Sequence, residues 1–198
     1  IAKAEEIARN TPGSFMPNQF KNPDNIKTHS QTTAKEILQQ TKGKLDYLVI
    51  AAGTGGTLSG VASVLKKKIP KIKVCVVEPS GSAVLSGCEA GPHKIQGIGE
   101  GFIPDTLRCD LFDEVISVSD EEAIKTTRKL CREEAIFGGI SAGANVFAAL
   151  KVAERLDKKA KILTFIPDSG QRYLTCEVYD FEEGITAFIE KRKPEFKK

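Results

Sequence analysis

A strand, a glycine-rich turn and the start of a helix follow one another in Tyr47-Leu48-Val49-Ile50-Ala51-Ala52-Gly53-Thr54-Gly55-Gly56-Thr57-Leu58-Ser59-Gly60. Glycines let a backbone approach an anion closely, and the free N–H groups at a helix N-terminus donate to it. The turn is not a Walker loop, because no lysine follows its last glycine, and it lacks G-x-G-x-x-G spacing. By pattern alone, it fits a phosphate site and an ordinary strand-to-helix connection equally well.

The apolar run before this turn is one of several that alternate with segments of helical spacing. The others are Ile72 to Val77, Glu114 to Val118 and Ile162 to Ile166. Runs without polar alternation are typical of strands that are covered on both faces. The sequence therefore predicts an α/β fold with an open, mostly parallel twisted sheet, helices on both faces, and ligands at the carboxyl edge of the strands.

Helix starts and buried faces can also be read from the pattern. Ser119 to Glu122 has the form of a capping box and predicts the start of a helix. A second helix is predicted to begin near Ser141, with a buried stripe of Val146, Phe147, Leu150, Ala153 and Leu156. The glycine-rich stretch from Ser80 to Pro104 is too long for a simple connection, which indicates a functional loop.

Composition excludes several classes of function. The 198 residues carry 29 Lys plus Arg against 26 Asp plus Glu, and this net charge of +3 gives no argument for nucleic acid or a membrane. Five widely spaced cysteines, without a C-x-x-C pair or a histidine cluster, indicate neither a disulfide framework nor a metal site. We expect reduced thiols and a cytoplasmic location, with an organelle as the alternative.

Five stretches occur in a set order along the chain. They are Gln19-Phe20 with Asn22-Pro23, Gly53 to Thr57, Gly91 to Gly99 with Gly101 to Pro104, Gly139 to Ala144, and Pro167 to Leu174. In this order they resemble the cysteine synthase (O-acetylserine sulfhydrylase) family of fold-type II pyridoxal-phosphate enzymes. The resemblance runs from about Ala2 to Tyr179 and implies a large domain like that of the tryptophan synthase β-subunit.

The resemblance assigns roles to particular residues. It implies that Gly53, Thr54, Gly55, Gly56 and Thr57 hold the phosphate of pyridoxal 5′-phosphate. Ser141 matches the serine that faces the pyridine nitrogen, and the alternative is a plain helix N-cap. Gln19 matches a glutamine that binds the substrate carboxylate, and Gly97 lies in a segment beside the cofactor ring. We expect Pro167 and Asp168 near the pyridine side, with a plain strand end as the alternative, and we assign no catalytic role to His29 or His93.

The activity implied by the resemblance is β-replacement, which makes L-cysteine from O-acetyl-L-serine and sulfide. The alternatives are a β-cyanoalanine synthase, a cystathionine β-synthase, or a non-catalytic homologue that acts in binding or sensing. Gly101 before Phe102 favours sulfide, because cystathionine β-synthases usually carry an aspartate there. The family also implies a homodimer and a partner in the C-terminal tail of serine acetyltransferase.

Two elements of the family are not found in the 198 residues. One is the Schiff-base lysine in its Pro-x-x-Ser-Val-Lys-Asp-Arg context, and the other is the Ser-Gly-Asn-Thr-Gly loop. We therefore expect the C-terminal part of a longer subunit, with no catalytic residue of its own and no activity in isolation. The expected division is residues 1–22 as the end of a mobile domain, 23–185 as the cofactor-binding domain and 186–198 as a basic tail.

Overall fold

The protein is described by a computed structural model that covers residues 1–176, 178–179 and 190–193. Its strands form one parallel sheet in the order β3-β2-β1-β4. The strands are β1 (Tyr47–Ala51), β2 (Lys73–Pro79), β3 (Glu114–Val118) and β4 (Ile162–Leu163). The α-helices are α1 (Ala2–Asn10), α2 (Pro23–Gln31), α3 (Thr33–Thr41), α4 (Gly56–Lys68), α5 (Asp120–Glu134) and α6 (Ile140–Ala153). The predicted fold class is confirmed.

Both faces of the sheet are buried. Alternate residues of β1 and β2 point to opposite sides, so Leu48 and Val74 join one apolar cluster while Val49 and Cys75 join the other. Helices α3 and α4 cover the first face, and α5 and α6 cover the second. Burial on both sides explains why these strands are continuous apolar runs.

Strand β4 is shorter than the predicted run of Ile162 to Ile166. It pairs with β1 over two residues only. Beyond that point the fully buried Asn145 of α6 inserts its amide between the two segments. Its Oδ1 accepts the N–H of Ala51 at 2.7 Å, and its Nδ2 donates to the carbonyl of Phe165 at 2.9 Å. The side chain thus replaces the ladder hydrogen bonds that would have continued the strand.

The buried face of α6 also differs from the predicted stripe. Leu150 is 55% exposed, whereas Ala144, Ala148 and Val152 are fully buried. Small residues let the helix axis approach the sheet and α5 closely, so the face richest in alanine is the one that packs. The predictions of Leu150 and Ala153 as core residues are wrong, because both are exposed.

The long loop after β2 is anchored by one buried carboxylate. Glu78 is 3% exposed and accepts the N–H of Leu85 at 2.8 Å. It also accepts the hydroxyl of Ser86 and, at 3.2 Å, that of Ser117. A buried carboxylate with this many donors is stabilised in place, and it ties the start of the loop to the sheet.

Helix α2 was not predicted from the sequence. Its Asn22 side chain caps the N-terminus by accepting the N–H of Asp24, and Pro23 occupies the first position.

No helix in the described part of the chain is long and apolar enough to cross a membrane. The expected domain boundary at residue 185 and most of the expected tail lie outside the described residues.

Candidate functional site

A cleft of about 660 Å³ opens at the carboxyl ends of the strands. The glycine-rich turn after β1 forms one wall, and the segment after β4 forms another. Its lining residues include Gly53, Thr54, Gly55, Thr57, Gly97, Ser141, Pro167 and Asp168. Several residues that the sequence singled out, though far apart in the chain, therefore share one cavity at the edge where open α/β sheets bind ligands.

The glycines of the turn are required by close backbone approach. A Cβ on Gly53 would overlap the carbonyl oxygen of Gly97, and one on Gly56 would overlap the side chain of Asn25. Gly55 has φ +82°, and a Cβ there would lie 2.6 Å from the Cβ of Leu107. Only glycine fits these positions without displacing backbone or packed side chains.

The N-terminus of α4 has no side-chain cap, and Gly55 occupies the N-cap position. Within the described residues, the backbone N–H groups of Gly55, Thr57 and Leu58 have no acceptor. The first turn of α4 also contains no acidic residue. These unpaired donors and the positive end of the helix dipole face the cleft, which is the arrangement that binds phosphate groups.

Both threonines of the turn are held by α2. Asn25 donates from Nδ2 to Thr54 Oγ1 at 3.0 Å. His29 lies 3.1 Å from Thr57 Oγ1 through Nε2 and 3.0 Å from Thr33 Oγ1 through Nδ1. Burial lowers the pKa of His29, which favours the neutral ring. The threonine hydroxyls are therefore fixed beside the open helix end.

Ser141 lies in the second position of α6, and Gly139 is the N-cap. The N-cap interpretation of Ser141 is therefore wrong. Ser141 is 4% exposed and lines the cleft, and its hydroxyl has no hydrogen-bond partner in the part of the chain that the structure describes. A nearly buried hydroxyl without a partner is free to bond a ligand atom.

The other predicted site residues are placed differently from one another. Gly97, with φ +87°, lies against Gly53 and lines the cleft. Gln19 is exposed and is not among the lining residues, although its carbonyl accepts a bond from Asn25 at 2.9 Å. The structure thus places Gly97 within the site, whereas Gln19 lies outside it and is linked to it through Asn25, which also contacts Thr54.

Sequence reasoning missed Asn25 and His29 as residues of the site. The available signal was their spacing, because residues four apart on a helix share one face, and Gly56 and Gly60 have the same spacing on α4. A Cβ on Gly60 would lie 2.7 Å from the Cβ of His29. Two glycines one turn apart therefore admit α2 close enough for its polar side chains to reach the turn.

A second pair lies at the far wall of the cleft. Tyr173 is 1% exposed, and its hydroxyl donates to Asp168 Oδ2 at 2.6 Å. Burial, followed by this bond and the carboxylate charge, raises the pKa of Tyr173 far above its usual range. The phenol therefore remains a donor at all physiological pH values and fixes the Asp168 side chain.

The cleft fits pyridoxal phosphate at both ends of that molecule. The phosphate needs several donors without a blocking Cβ, and the turn of Gly53 to Thr57 provides them. The pyridine nitrogen needs one polar group, and the unpartnered hydroxyl of Ser141 lies in the same cleft. The donor set and the close glycine packing thus agree with the cofactor that the resemblance implied.

Comparisons with known proteins agree with this reading. A family model described as "Pyridoxal-phosphate dependent enzyme" matches residues 1–168. A cysteine synthase of Staphylococcus aureus is 46% identical over 184 residues, which are 92% of this chain and 59% of that protein. The chain thus spans about three fifths of the length of the curated relatives that it matches.

Solved structures give the same result. An O-acetylserine dependent cystathionine beta-synthase from Helicobacter pylori is 43% identical with a TM-score of 0.86, covering 90% of this chain and 58% of that one. A cysteine synthase from Entamoeba histolytica is 40% identical with a TM-score of 0.86, covering 99% and 55%. The resemblance noted in the sequence is confirmed, and the chain belongs to the family of pyridoxal-phosphate dependent enzymes.

Proposed function

We propose that the protein containing this chain makes L-cysteine from O-acetyl-L-serine and sulfide by β-replacement. The observation that carries the proposal is the pairing, in one cleft, of an uncapped helix N-terminus with the neutral hydroxyl of Ser141. The similarity to cysteine synthases over 92% of the chain supports it. The same proposal includes the cofactor-binding roles of Gly53, Thr54, Gly55, Gly56, Thr57 and Ser141 and the substrate-binding roles of Gln19 and Gly97.

Each part of the cleft has its own task in this reaction. The turn of Gly53 to Thr57 binds the phosphate through backbone N–H groups and two hydroxyls. The Ser141 hydroxyl orients the pyridine nitrogen by a hydrogen bond and, being neutral, does not hold a proton on it as a carboxylate would. When bound, pyridoxal phosphate supplies the electron withdrawal that lets a leaving group depart from the substrate Cβ.

The remaining residues shape the space for the substrate. Gly97 has no side chain to fill the mouth, and the neighbouring Ile98, which is buried, excludes water from the ring side of the cleft. Gln19 is proposed to bind the substrate carboxylate. Because its side chain is exposed here, this role requires the turn that carries it to close over the cleft.

The first 22 residues are proposed to be the end of a mobile domain whose remainder lies upstream. Helix α1 has no buried residue, and Phe15 is 82% exposed. Apolar side chains left this open are expected to pack on a further segment. The Schiff-base lysine is proposed to belong to that segment, and the 198 residues alone are then inactive.

Three properties of the whole protein follow from the family resemblance alone. We propose a homodimer, binding of the C-terminal tail of serine acetyltransferase at the active site, and a cytoplasmic location, with an organelle as the alternative. The five unpaired thiols are consistent with a reducing compartment. Light scattering, pull-down with the tail peptide and fractionation test these three separately.

The experiment for the activity uses the protein with its upstream segment, loaded with pyridoxal phosphate. O-Acetylserine is supplied with sulfide or homocysteine, cysteine is supplied with cyanide, and each product is measured. We expect cysteine from sulfide at the highest kcat/KM. Preference for homocysteine or cyanide would assign the alternative reactions, and product formation by the 198 residues alone would overturn the assignment of the lysine to the upstream segment.

A further inference from the structure

Helix α2 packs on α4 so that two polar side chains reach the turn of Gly53 to Thr57. Asn25 lies against Gly56, and His29 lies against Gly60, one helical turn further along. Each ends at a hydroxyl of the turn, Asn25 at Thr54 and His29 at Thr57. The contact between α2 and α4 therefore orients both hydroxyls, in addition to packing the two helices together.

The Thr54 hydroxyl is already used as an acceptor. Asn25 Nδ2 donates to its oxygen at 3.0 Å, and the N–H of Gly56 approaches it at 3.4 Å. An amide N–H can only donate, so the lone pairs of Thr54 Oγ1 point toward α2 and α4. Its proton has no acceptor within the described residues and is available to a ligand.

The Thr57 hydroxyl depends on a histidine that can act in two ways. His29 lies between Thr57 at Nε2 and Thr33 at Nδ1, at 3.1 and 3.0 Å. A neutral imidazole donates from one nitrogen and accepts at the other. If Thr57 donates its proton to an anion, its oxygen must accept from Nε2–H, and Nδ1 must then accept the proton of Thr33.

We propose that His29 is a positioning residue of the phosphate cradle, holding the Nε2–H tautomer so that Thr57 donates to a bound phosphate ester. The inference rests on the proposed phosphate site in the turn of Gly53 to Thr57. The chain of donors runs from the Thr33 hydroxyl through the His29 ring to the Thr57 hydroxyl and ends on a phosphate oxygen. Without ligand, the reverse order is equally satisfied, so phosphate binding selects the tautomer.

The lowered pKa of His29, caused by burial, is consistent with this arrangement because only a neutral ring has two tautomers between which a ligand can select. A protonated ring would donate from both nitrogens and leave Thr33 as an acceptor only. The Cβ of His29 packs against Gly60, and both ring nitrogens lie within hydrogen-bond distance of a threonine hydroxyl. In this position a change of tautomer reverses the direction of both hydrogen bonds without moving the ring.

The test is a nitrogen NMR measurement on the protein with ¹⁵N-labelled histidine. His29 and His93 are the only histidines in the sequence, so a His29→Gln variant assigns both sets of signals. Pyridoxal phosphate and inorganic phosphate serve as probes. We expect the signals of His29 to move to the Nε2–H tautomer on addition of either probe, while those of His93 serve as the internal reference.

The outcomes separate the two proposals. If, in a second sample labelled uniformly with ¹⁵N, the amide signals of Gly55 to Thr57 do not respond to either probe, the phosphate site itself is wrong. If they respond and His29 remains or becomes an Nδ1–H tautomer, the site stands and the role of His29 is overturned. The wild-type measurement decides this even where a variant fails to fold.

Two variants add a measurement of affinity. The amide of glutamine reaches the place of Nε2 and that of asparagine the place of Nδ1, so His29→Gln can donate to Thr57 and His29→Asn cannot. We expect His29→Gln to bind pyridoxal phosphate within a few-fold of wild type and His29→Asn about tenfold more weakly, the upper size of a neutral hydrogen bond such as that from the ring to Thr57. Equal losses in both variants would indicate a space-filling role and overturn the proposal.

Discussion

Two helix N-termini in this chain are built in opposite ways. At α5, Ser119 accepts the N–H of Glu122 while Glu122 accepts the N–H of Ser119, and the first turn carries three acidic residues. At α4, a glycine stands at the N-cap, the first turn has no acid, and three N–H groups face the cleft without an acceptor among the described residues. One helix end is satisfied by its own chain, and the other is left for a ligand.

This difference separates structural from functional helix ends by physical criteria. A capping box contributes about 1 kcal/mol to stability, and leaving the N–H groups unpaired forgoes that gain. The chain tolerates this at α4 because the glycines, the positive φ of Gly55 and the contact with α2 fix the turn by other means. Unpaired donors held on a rigid frame bind an anion without reorganisation.

The largest effect is expected from Gly55→Ala. The left-handed backbone costs an alanine about 1–2 kcal/mol, and the new Cβ would lie 2.6 Å from that of Leu107. We expect a clear fall in the unfolding temperature and a loss of pyridoxal phosphate binding of more than about tenfold. Calorimetry and equilibrium dialysis measure the two effects.

Gly87→Ala is the matched control for this variant. Gly87 has nearly the same φ, +84°, but nothing lies within 4 Å of a Cβ there. It should show the backbone strain alone, with unchanged affinity. If both variants lose the same stability and neither loses affinity, the close approach at the α4 N-terminus does not shape a binding site.

The next effect is expected from Thr54→Val, which removes the hydroxyl while keeping the shape. Hydrogen bonds to charged groups contribute about 1.5–3 kcal/mol, so affinity for pyridoxal phosphate should fall by about 10- to 100-fold. Stability should change little, because Asn25 retains its bond to the Gln19 carbonyl. Thr28→Val, on the exposed side of α2, is the control, and an equal loss of affinity there would contradict the prediction.

How far the sequence predicted these features depends on the range of the interactions. The capping box of α5 was predicted correctly because Ser119 and Glu122 are three residues apart and complete the motif between them. The glycine turn was recognisable for the same reason. The roles of Asn25 and His29 were missed because their partners lie 29 and 28 residues away, respectively, and meet only when α2 packs on α4.

Periodicity failed where packing chose between two faces. Helix α6 has an aliphatic stripe through Leu150 and an alanine stripe through Ala148, and both have helical spacing. The alanine face is buried because it permits the closer approach. Likewise, nothing local indicated that Asn145 would end β4, since its amide bonds residues 94 and 20 positions away.

Smaller effects are expected from replacing a serine by alanine at the start of α5, which is capped, and at the start of α6, which lines the cleft. Ser119→Ala removes the cap of α5 and should reduce the free energy of unfolding by about 1 kcal/mol without changing cofactor affinity. Ser141→Ala should leave stability nearly unchanged, because its hydroxyl has no partner in the described chain. It should instead alter the absorption spectrum of bound pyridoxal phosphate. A spectral change in Ser119→Ala, or none in Ser141→Ala, would contradict the contrast between the two helix ends.

The smallest effect concerns acid stability at the capped end. The backbone N–H of Ser119 and then its hydroxyl lower the pKa of Glu122 from 4.5. Because the folded pKa lies below the unfolded one, the stabilisation is fully present above pH 4.5 and is lost as the pH falls through the folded pKa. Glu122→Gln does not titrate, so its deficit in urea-unfolding free energy relative to wild type should shrink over that window. A deficit of the same size near neutral pH and well below pH 4.5 would show that the charge of Glu122 does not stabilise α5. Helix α4 has no acidic side chain in its first turn, so its N-terminus contributes no such pH-dependent stabilisation. The pH dependence of stability at this helix end should instead follow the ionisation of a bound phosphate.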